Sequence, residues 1–307
     1  MVTAPVMPLA GNPLHRAGNE RRDPAWLGDA LAGERARFLP VLRLKVPVTA
    51  GPDSAANHRL AWARRGDWME EAGDPILLGL DGDDPRFAVD VSGCPEPAAE
   101  RFGLGTGVEF QGLRTAAPSL PVGDAAIATQ ARSLLGWHER HPFCAVCGGE
   151  TTVRNGGGSR SCTACAAEHF PRTDPVVIVV VSRGGRALLG RSGRFPGNLY
   201  SALAGFMEPG ESVEEAVRRE VGEEAGIRVG EVRYLFSQPW PFPGSLMLGC
   251  LAEGLSDEIA VDPEEIEDAR WFTRNEIVEA LAGRSEVLSV PQPIAIAHHL
   301  IRAWLAA

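Results

Sequence analysis

No part of this chain restricts its fold more than Gly205-Phe206-Met207-Glu208-Pro209-Gly210-Glu211-Ser212, continued by Arg219-Glu220-Val221-Gly222-Glu223-Glu224-Ala225-Gly226-Ile227. The first half is a glycine-rich loop. Ser212 followed by Glu215 is a capping-box pair, which predicts a helix starting there. Gly226 stands where a helix ends with a left-handed residue. At 100° per residue, Val213, Ala216 and Val217 form an apolar stripe, and Glu220, Glu223 and Glu224 prolong it by one turn. A solvated acidic face normally lies opposite the apolar stripe rather than along it. Like charges on adjacent turns repel by a few tenths of a kcal/mol per pair, so a cation is expected against them. Magnesium and manganese suit such a site, because hard dications take carboxylate oxygens together with phosphates. The plainer alternative is a solvated, glutamate-rich surface helix.

The rest of the sequence bounds the setting. With 307 residues there is room for two domains and a smaller module. A formal charge of −10 argues against broad, non-specific nucleic-acid binding, though a local basic pocket for a phosphorylated small molecule is compatible with it. Met1 to Asn19 lacks a basic start followed by an apolar core, so no secretory signal is predicted. The run Val176 to Val181 has the length of a buried strand and is far too short to cross a bilayer. The expected location is cytoplasmic, with the six cysteines reduced.

In chain order, residues 1 to about 20 are expected to be a loose lead-in. From Trp26 to Arg114 apolar runs alternate with turn residues. The runs Phe38–Val46, Ile76–Leu80 and Arg86–Val91 are each predicted strands of an α+β domain without a chemical motif. Cys94 there is expected to be an ordinary small apolar residue. Asp124 to His138 has helical periodicity. Then come Cys144-Ala145-Val146-Cys147 and Cys162-Thr163-Ala164-Cys165, with Gly148-Gly149 and Gly156-Gly157-Gly158 at the turns. Two such knuckles predict a zinc ribbon with four thiolates. As protein fills all four positions, the zinc should be structural, fixing a module with little core of its own.

After the ribbon, Val176–Val181 and Ala187–Arg191 form a predicted hairpin about Gly184-Gly185. Strands are predicted at Glu231–Phe236, Leu246–Glu253 and before Phe272, and a closing helix at Pro293–Leu305. Between two of these lies Gln238-Pro239-Trp240-Pro241-Phe242-Pro243-Gly244-Ser245. Its alternating prolines cannot join a sheet ladder, which predicts a rigid extended loop displaying Trp240 and Phe242.

The helix and its loop resemble the Nudix hydrolase box. Gly205, Glu211, Arg219, Glu220, Val221, Glu223, Glu224, Gly226 and Ile227 stand at its fixed positions. With the zinc ribbon before the box and the proline–aromatic loop after it, the chain resembles the NADH pyrophosphatase branch of that superfamily, strongly over about residues 138–307. That resemblance implies an α+β chain: residues 1–123 a strand-rich N-terminal domain, 124–172 a linker helix and zinc ribbon, and 173–307 a Nudix α/β/α sandwich with a mixed sheet. Members of the branch split NAD(H) into nicotinamide mononucleotide and AMP. Several also remove NAD caps from RNA 5′ ends. They are typically homodimers requiring Mg²⁺ or Mn²⁺.

A pyrophosphate repels hydroxide, so its hydrolysis needs charge neutralisation and an oriented water. Glu220 and Glu224 are the expected metal ligands, and Glu265 matches the branch's additional metal carboxylate. Either Glu223 or Glu224 can take the proton of the attacking water. Arg219 is expected to hold Glu211 bidentately and so to orient the metal ligands. Phe206, Trp240 and Phe242 offer flat surfaces to nicotinamide or adenine. Ala204 and Ala297 occupy positions that line the branch's nucleotide pocket, and Arg114 is a candidate phosphate contact. Phe170, before Pro171-Arg172, stands where the branch often has tyrosine, which removes a hydroxyl but keeps the ring. A docking module beside a dead Nudix fold should have lost box carboxylates, and none is missing. A Nudix enzyme for sugar nucleotides would lack the Gln238–Ser245 loop.

Overall fold

The computed structural model describes residues 7–49, 58–95, 97–194 and 196–307. The chain forms two units, one of residues 9–173 with 240–244, the other of residues 1–8, 174–239 and 245–307. In the first, α1 (Pro24–Ala32) precedes β1 (Arg37–Val41), β2 (Lys45–Thr49), β3 (Arg59–Leu60), β4 (Ile76–Asp81), β5 (Asp84–Asp90) and β6 (Val108–Gly112). These strands make two small sheets, β1-β5-β4 and β3-β2-β6. Phe38–Val46 is therefore not one strand. Arg43 and Leu44 both take positive φ (49° and 59°) and turn the chain from one sheet into the other, at a place where no glycine or asparagine marks the turn. Phe38 stacks on Phe87 at 5.4 Å, with Trp68 and Phe102 edge-on beyond. Cys94 is buried among them, as expected of an apolar residue.

The described part of the lead-in is not loose. Leu9, Leu14 and Ala17 are buried, and His15 exchanges backbone hydrogen bonds with Leu80. The apolar residues there follow no period because the segment is neither helix nor strand. The expectation for residues 1–6 lies outside the described residues.

Still in this unit, α2 (Leu113–Ala116) leads to α3 (Val122–Arg140), a turn longer than Asp124–His138. The ribbon follows as a three-stranded sheet of β7 (Thr151–Arg154), β8 (Ser159–Cys162) and β9 (Glu168–His169). Its tip needs glycine: Gly157 has φ +85°, and a Cβ there would come within 2.5 Å of Ile76 of β4. Buried His138 completes that contact through its Nε2 and the Gly157 carbonyl, 3.0 Å apart.

In the second unit, β10 (Asp174–Arg183), β11 (Arg186–Arg191) and β12 (Leu203–Phe206) precede α4 (Val213–Ala225). Then come β13 (Val229–Trp240), β14 (Ser245–Gly254), β15 (Asp268–Thr273), α5 (Arg274–Leu281) and α6 (Ile296–Ala306). The sheet runs β13-β14-β10-β11-β15, with β12 also on β10. It is mixed: β10 is parallel to β14 and antiparallel to β11 and β12. Val176–Val181 is buried on both faces, as an apolar run at the centre of a sheet must be. Alternate residues Val177, Val179 and Val181 pack with Ala216, Val217 and Val221 of α4. On the other face, Gly249, opposite Ile178 in the ladder, gives room to Ile296 and Leu300 of α6. That is an α/β/α sandwich. The β10–β11 turn has Gly184 and Gly185 at φ +55° and +73°, the paired left-handed residues of a type I′ hairpin.

The proline–aromatic segment departs from its expected form. β13 runs through Gln238 and Pro239 to Trp240, leaving Pro241–Gly244 as the turn before β14. A proline is tolerated there because β13 is the sheet's edge, where one side of the strand has no ladder partner. Trp240 and Phe242 are half-buried and pack on each other edge-to-face at 5.0 Å, rather than being freely displayed.

Candidate active site and zinc ribbon

Helix α4 is closed at both ends by its own sequence. Ser212 accepts from the Glu215 N–H, Glu215 accepts from the Ser212 N–H, and Gly226 ends it at φ +68°. Packing Ala216, Val217 and Val221 on the sheet turns Glu220 and Glu224 inward, to 8% and 7% exposure. Glu223 does not share that face and is exposed. Glu265, from the loop before β15, completes a cluster: one carboxylate oxygen each of Glu220, Glu224 and Glu265 lies within 4.8 Å of the others. Gly205 makes space for it, since a Cβ at that position would fall 1.9 Å from the Glu220 carboxyl.

Burial is the main reason Glu224 holds its proton up to about 8, and the charges of Glu220 and Glu265 add to it. Glu220 is raised for the same first reason, with Arg219 pulling the other way. Glu224 Oε2 is buried without a hydrogen-bond partner. Such an oxygen, in an all-carboxylate set with a glycine-lined recess, fits a hard dication.

Arg219 organises the surroundings. Its Nε and Nη2 donate to the two oxygens of Glu211 at 2.6 and 2.8 Å. Its Nη1 reaches Glu220 at 2.8 Å and Glu223 at 3.0 Å, and Nη2 also donates to the Phe206 carbonyl at 2.9 Å. The pairing with Arg219 holds the Glu211 carboxyl down to about 2, aided by the Glu208 N–H. The loop is thereby fastened to the helix.

The candidate substrate residues fall into both units. In the Nudix unit, Ala204 and Phe206 lie on β12, with Phe206 at 60% exposure, while Ala297 is buried on α6. Gln238 does not offer its side chain to a ligand. It is fully buried; Nε2 donates to the carbonyls of Pro8 and Ile294 at 2.9 Å each, and Oε1 accepts from the Ile296 N–H at 2.8 Å. With all three bonds made to backbone, it ties β13 to the chain entering α6. Pro239 extends β13 beside it, and Ser245 is buried at the start of β14.

In the other unit, the turn formed by Pro241, Phe242, Pro243 and Gly244 carries a basic cluster. The Arg114 guanidinium lies 4.3 Å from the Phe242 ring centroid and 5.7 Å from that of Trp240. Arg132 stands 4.9 Å from the same Phe242 ring. Sequence reasoning missed Arg132, since helical periodicity marks it only as a polar position. Phe170 is 61% exposed, directly after the ribbon.

In the ribbon, Cys144 and Cys165 sulfurs lie 3.7 Å apart and those of Cys147 and Cys162 3.5 Å. A tetrahedron with zinc–sulfur bonds of about 2.3 Å has edges of about 3.75 Å, close to these two separations, and all four sulfurs lie within 4.8 Å of one another. Backbone N–H groups of Val146, Ala164 and Cys165 point at Cys144 and Cys162. His169 Nε2, also missed in the sequence, lies 3.2 Å from Cys144 Sγ. Desolvation works to raise the Cys144 thiol, but the Cys147, Val146 and His169 donors bring it down to about 6.

Comparison with known proteins agrees with this geometry. Residues 171–289 match the NUDIX domain, 139–170 the NADH pyrophosphatase zinc ribbon domain, and 35–137 an NADH pyrophosphatase-like rudimentary NUDIX domain. The last assigns a family to the N-terminal strands, which carried no motif. The NAD-capped RNA hydrolase NUDT12 of Macaca fascicularis is 50% identical over 59% of this chain and 42% of its own, so the chain spans less than half of that relative's length. The mouse mitochondrial NAD(P)H pyrophosphatase NUDT13 is 39% identical over 76% of this chain and 71% of its own. The NAD-capped RNA hydrolase NudC of Stutzerimonas stutzeri is 42% identical, over 78% and 82%.

Proposed function

The chain belongs to the Nudix hydrolases, in the branch that carries an NADH pyrophosphatase zinc ribbon, and on that premise we propose that it hydrolyses the pyrophosphate bond of NAD(H), giving nicotinamide mononucleotide and AMP, and removes NAD caps from RNA 5′ ends. The observation that carries this reading is the Glu220–Glu224–Glu265 cluster with its unpartnered buried oxygen. Mg²⁺ or Mn²⁺ bound there supplies neutralisation of the phosphate oxygens and lowers the pKa of a coordinated water. Glu220, Glu224 and Glu265 hold the metal. Of the two carboxylates able to accept the proton of the attacking water, Glu223 stands outside the cluster and keeps its oxygens free of it. Arg219 fixes Glu223 and Glu220 on one side and Glu211 on the other, so the carboxylates meet the substrate already oriented.

Phe206, Phe170, Trp240 and Phe242 supply flat faces for nicotinamide and adenine. Ala204 and Ala297 serve as nucleotide-binding positions of the Nudix unit, the Gln238–Ser245 segment as a substrate-binding segment, and Arg114 as a phosphate contact. Gln238 acts by holding the start of α6 rather than by touching the ligand. The ribbon's zinc is structural, and residues 1–123, 124–172 and 173–307 divide the chain by role, although the N-terminal strands and the ribbon belong to one compact unit. The same reading makes the protein a homodimer, as is typical of the branch. It also makes it cytoplasmic; six cysteines without a disulfide suit a reducing compartment. No described helix is long and apolar enough to cross a membrane.

Incubation with NADH and Mn²⁺ followed by product analysis tests the reaction. Nicotinamide mononucleotide and AMP in equal amounts are expected. Intact NADH from folded, metal-loaded protein overturns the proposal, and light scattering decides the dimer.

A further inference from the structure

The turn Pro241–Gly244 cannot hold itself. Two of its four residues are prolines without an N–H, so its backbone donors are only those of Phe242 and Gly244. Its shape has to be imposed by something else, and one side chain is placed to do so. From α3, Arg132 Nε donates to the Pro241 carbonyl at 2.9 Å. Its Nη1 donates to the carbonyl of Leu44 at 2.8 Å, in the left-handed turn between β1 and β2. The same guanidinium plane lies 4.9 Å from the centroid of Phe242. One planar group therefore ties a helix, a strand-to-strand turn and the proline–aromatic turn together, and presses on the ring that the turn carries.

Arg132 is also costly to keep. Burial lowers its pKa, the nearby Arg114 and Arg140 charges lower it further, and Glu139 offsets them only in part. No carboxylate pairs with it among the described residues. A half-buried cation without an anion is a poor device for stability alone, and an apolar residue of similar size would pack as well. Arg114 differs. It forms no hydrogen bond among the described residues and only lies over the two rings. With Gly112, Leu113, Phe242 and Pro243, both arginines line a cavity of about 420 Å³.

We propose that Arg132 is a positioning residue that locks the Trp240–Gly244 turn so that Phe242 is preset to receive a base of the dinucleotide. This rests on the functional reading above. Arg114 is left free to meet the ligand, whereas Arg132 is spent on the protein. The fork matters as well as the charge, because the planar guanidinium fixes its two donor directions beside the ring, whereas an ammonium is a rotating point charge without such a plane.

The test uses the full chain loaded with zinc and Mn²⁺, as Arg132→Met, which keeps the stem, and Arg132→Lys, which keeps the charge. Hydrogen exchange is followed at the Phe242 and Gly244 amides, and NADH turnover is measured alongside. Both variants are expected to exchange at those amides about tenfold faster, with the ribbon and β10 unchanged. The KM for NADH should rise about tenfold while kcat stays within about threefold, the signature of lost uniform binding. Exchange unchanged from wild type overturns the proposal, as does full rescue by lysine. Faster exchange with an unmoved KM also overturns it, by separating the turn from the ligand. If Arg132→Met does not fold, Arg132→Lys carries the same readouts. If wild-type protein cleaves no NADH, the functional reading fails, while the exchange result still judges the lock.

Discussion

The acidic cluster on α4 and the arginine pair around Phe242 are the same physical situation with opposite sign. In one, Glu220 and Glu224 are buried with Glu265 beside them, and burial first, then the neighbouring carboxylates, holds the protons of Glu220 and Glu224 more tightly. In the other, Arg114 and the half-buried Arg132 share one aromatic ring, and no described carboxylate forms an ion pair with either, Glu139 acting on Arg132 only as a lesser, more distant charge. A structure selected only for stability neutralises buried like charges or replaces them with apolar groups. On the functional reading proposed above, dications would answer the buried carboxylates and a phosphate the exposed Arg114 guanidinium. The two differ in how they are built. The carboxylates sit on a capped helix and one loop, held by Arg219. The arginines come from two helices and converge on a turn that depends on one of them.

The strongest way to break the comparison is Glu224→Gln. On the acidic side kcat/KM for NADH is expected to fall about 10³-fold, equivalent to ~4 kcal/mol. Thermal stability of the metal-free protein should not fall, because the amide removes a charge that burial opposes. Full activity in this variant ends the metal-cluster reading. Gln238 is the neutral contrast, a buried polar group with every bond made. Gln238→Leu leaves backbone groups unpaired and is expected to cost about 2–3 kcal/mol, or roughly 5–10 °C in Tm by calorimetry. A large KM effect with unchanged Tm would return Gln238 to the ligand.

On the basic side, Arg114→Ala should raise KM for NADH about tenfold, ~1.4 kcal/mol, with Tm little changed. A drop in Tm with normal KM would make Arg114 structural. The smallest effect concerns the Arg219 clamp. Glu211 titrates at about 2 instead of the ordinary 4.5. A carboxylate lowered in this way adds stability in full above about pH 4.5 and loses it as the pH falls toward 2. The Tm difference between wild type and Glu211→Gln is therefore expected at pH 7, to shrink below about pH 4.5 and to vanish near pH 2. A difference that persists at pH 2 contradicts the clamp.

Sequence legibility follows the same division. Carboxylates one helical turn apart are visible in the spacing, and so is the capping box that sets their phase. Paired cysteines announce a tetrahedral site equally directly. Glu223 was misplaced with them, because helix periodicity places a residue within about a quarter-turn and the boundary of a buried face can fall inside that interval. What periodicity cannot show is convergence from distant positions. Arg114, Arg132 and Phe242 meet only in three dimensions, and Leu44 joins them through a left-handed turn that no glycine announces. Gln238 stands inside the proline–aromatic motif, which says nothing of its partners, Pro8, Ile294 and Ile296, far along the chain.

The parallel pairing at the heart of the Nudix sheet has a consequence for how the protein is born. β10 finds that partner only in β14, with Asp174 opposite Ser245 and Ser182 opposite Glu253. Everything between must be closed into one long loop before the central pair forms, which is entropically slow. A nascent chain emerged only as far as Gly244 already exposes the sequence of α4 but no parallel strand for β10, and Glu265 has not yet emerged. The carboxylates therefore cannot gather until the chain is out past β14 and Glu265, so the cell meets this cluster only in molecules that already carry the strand that closes the sheet.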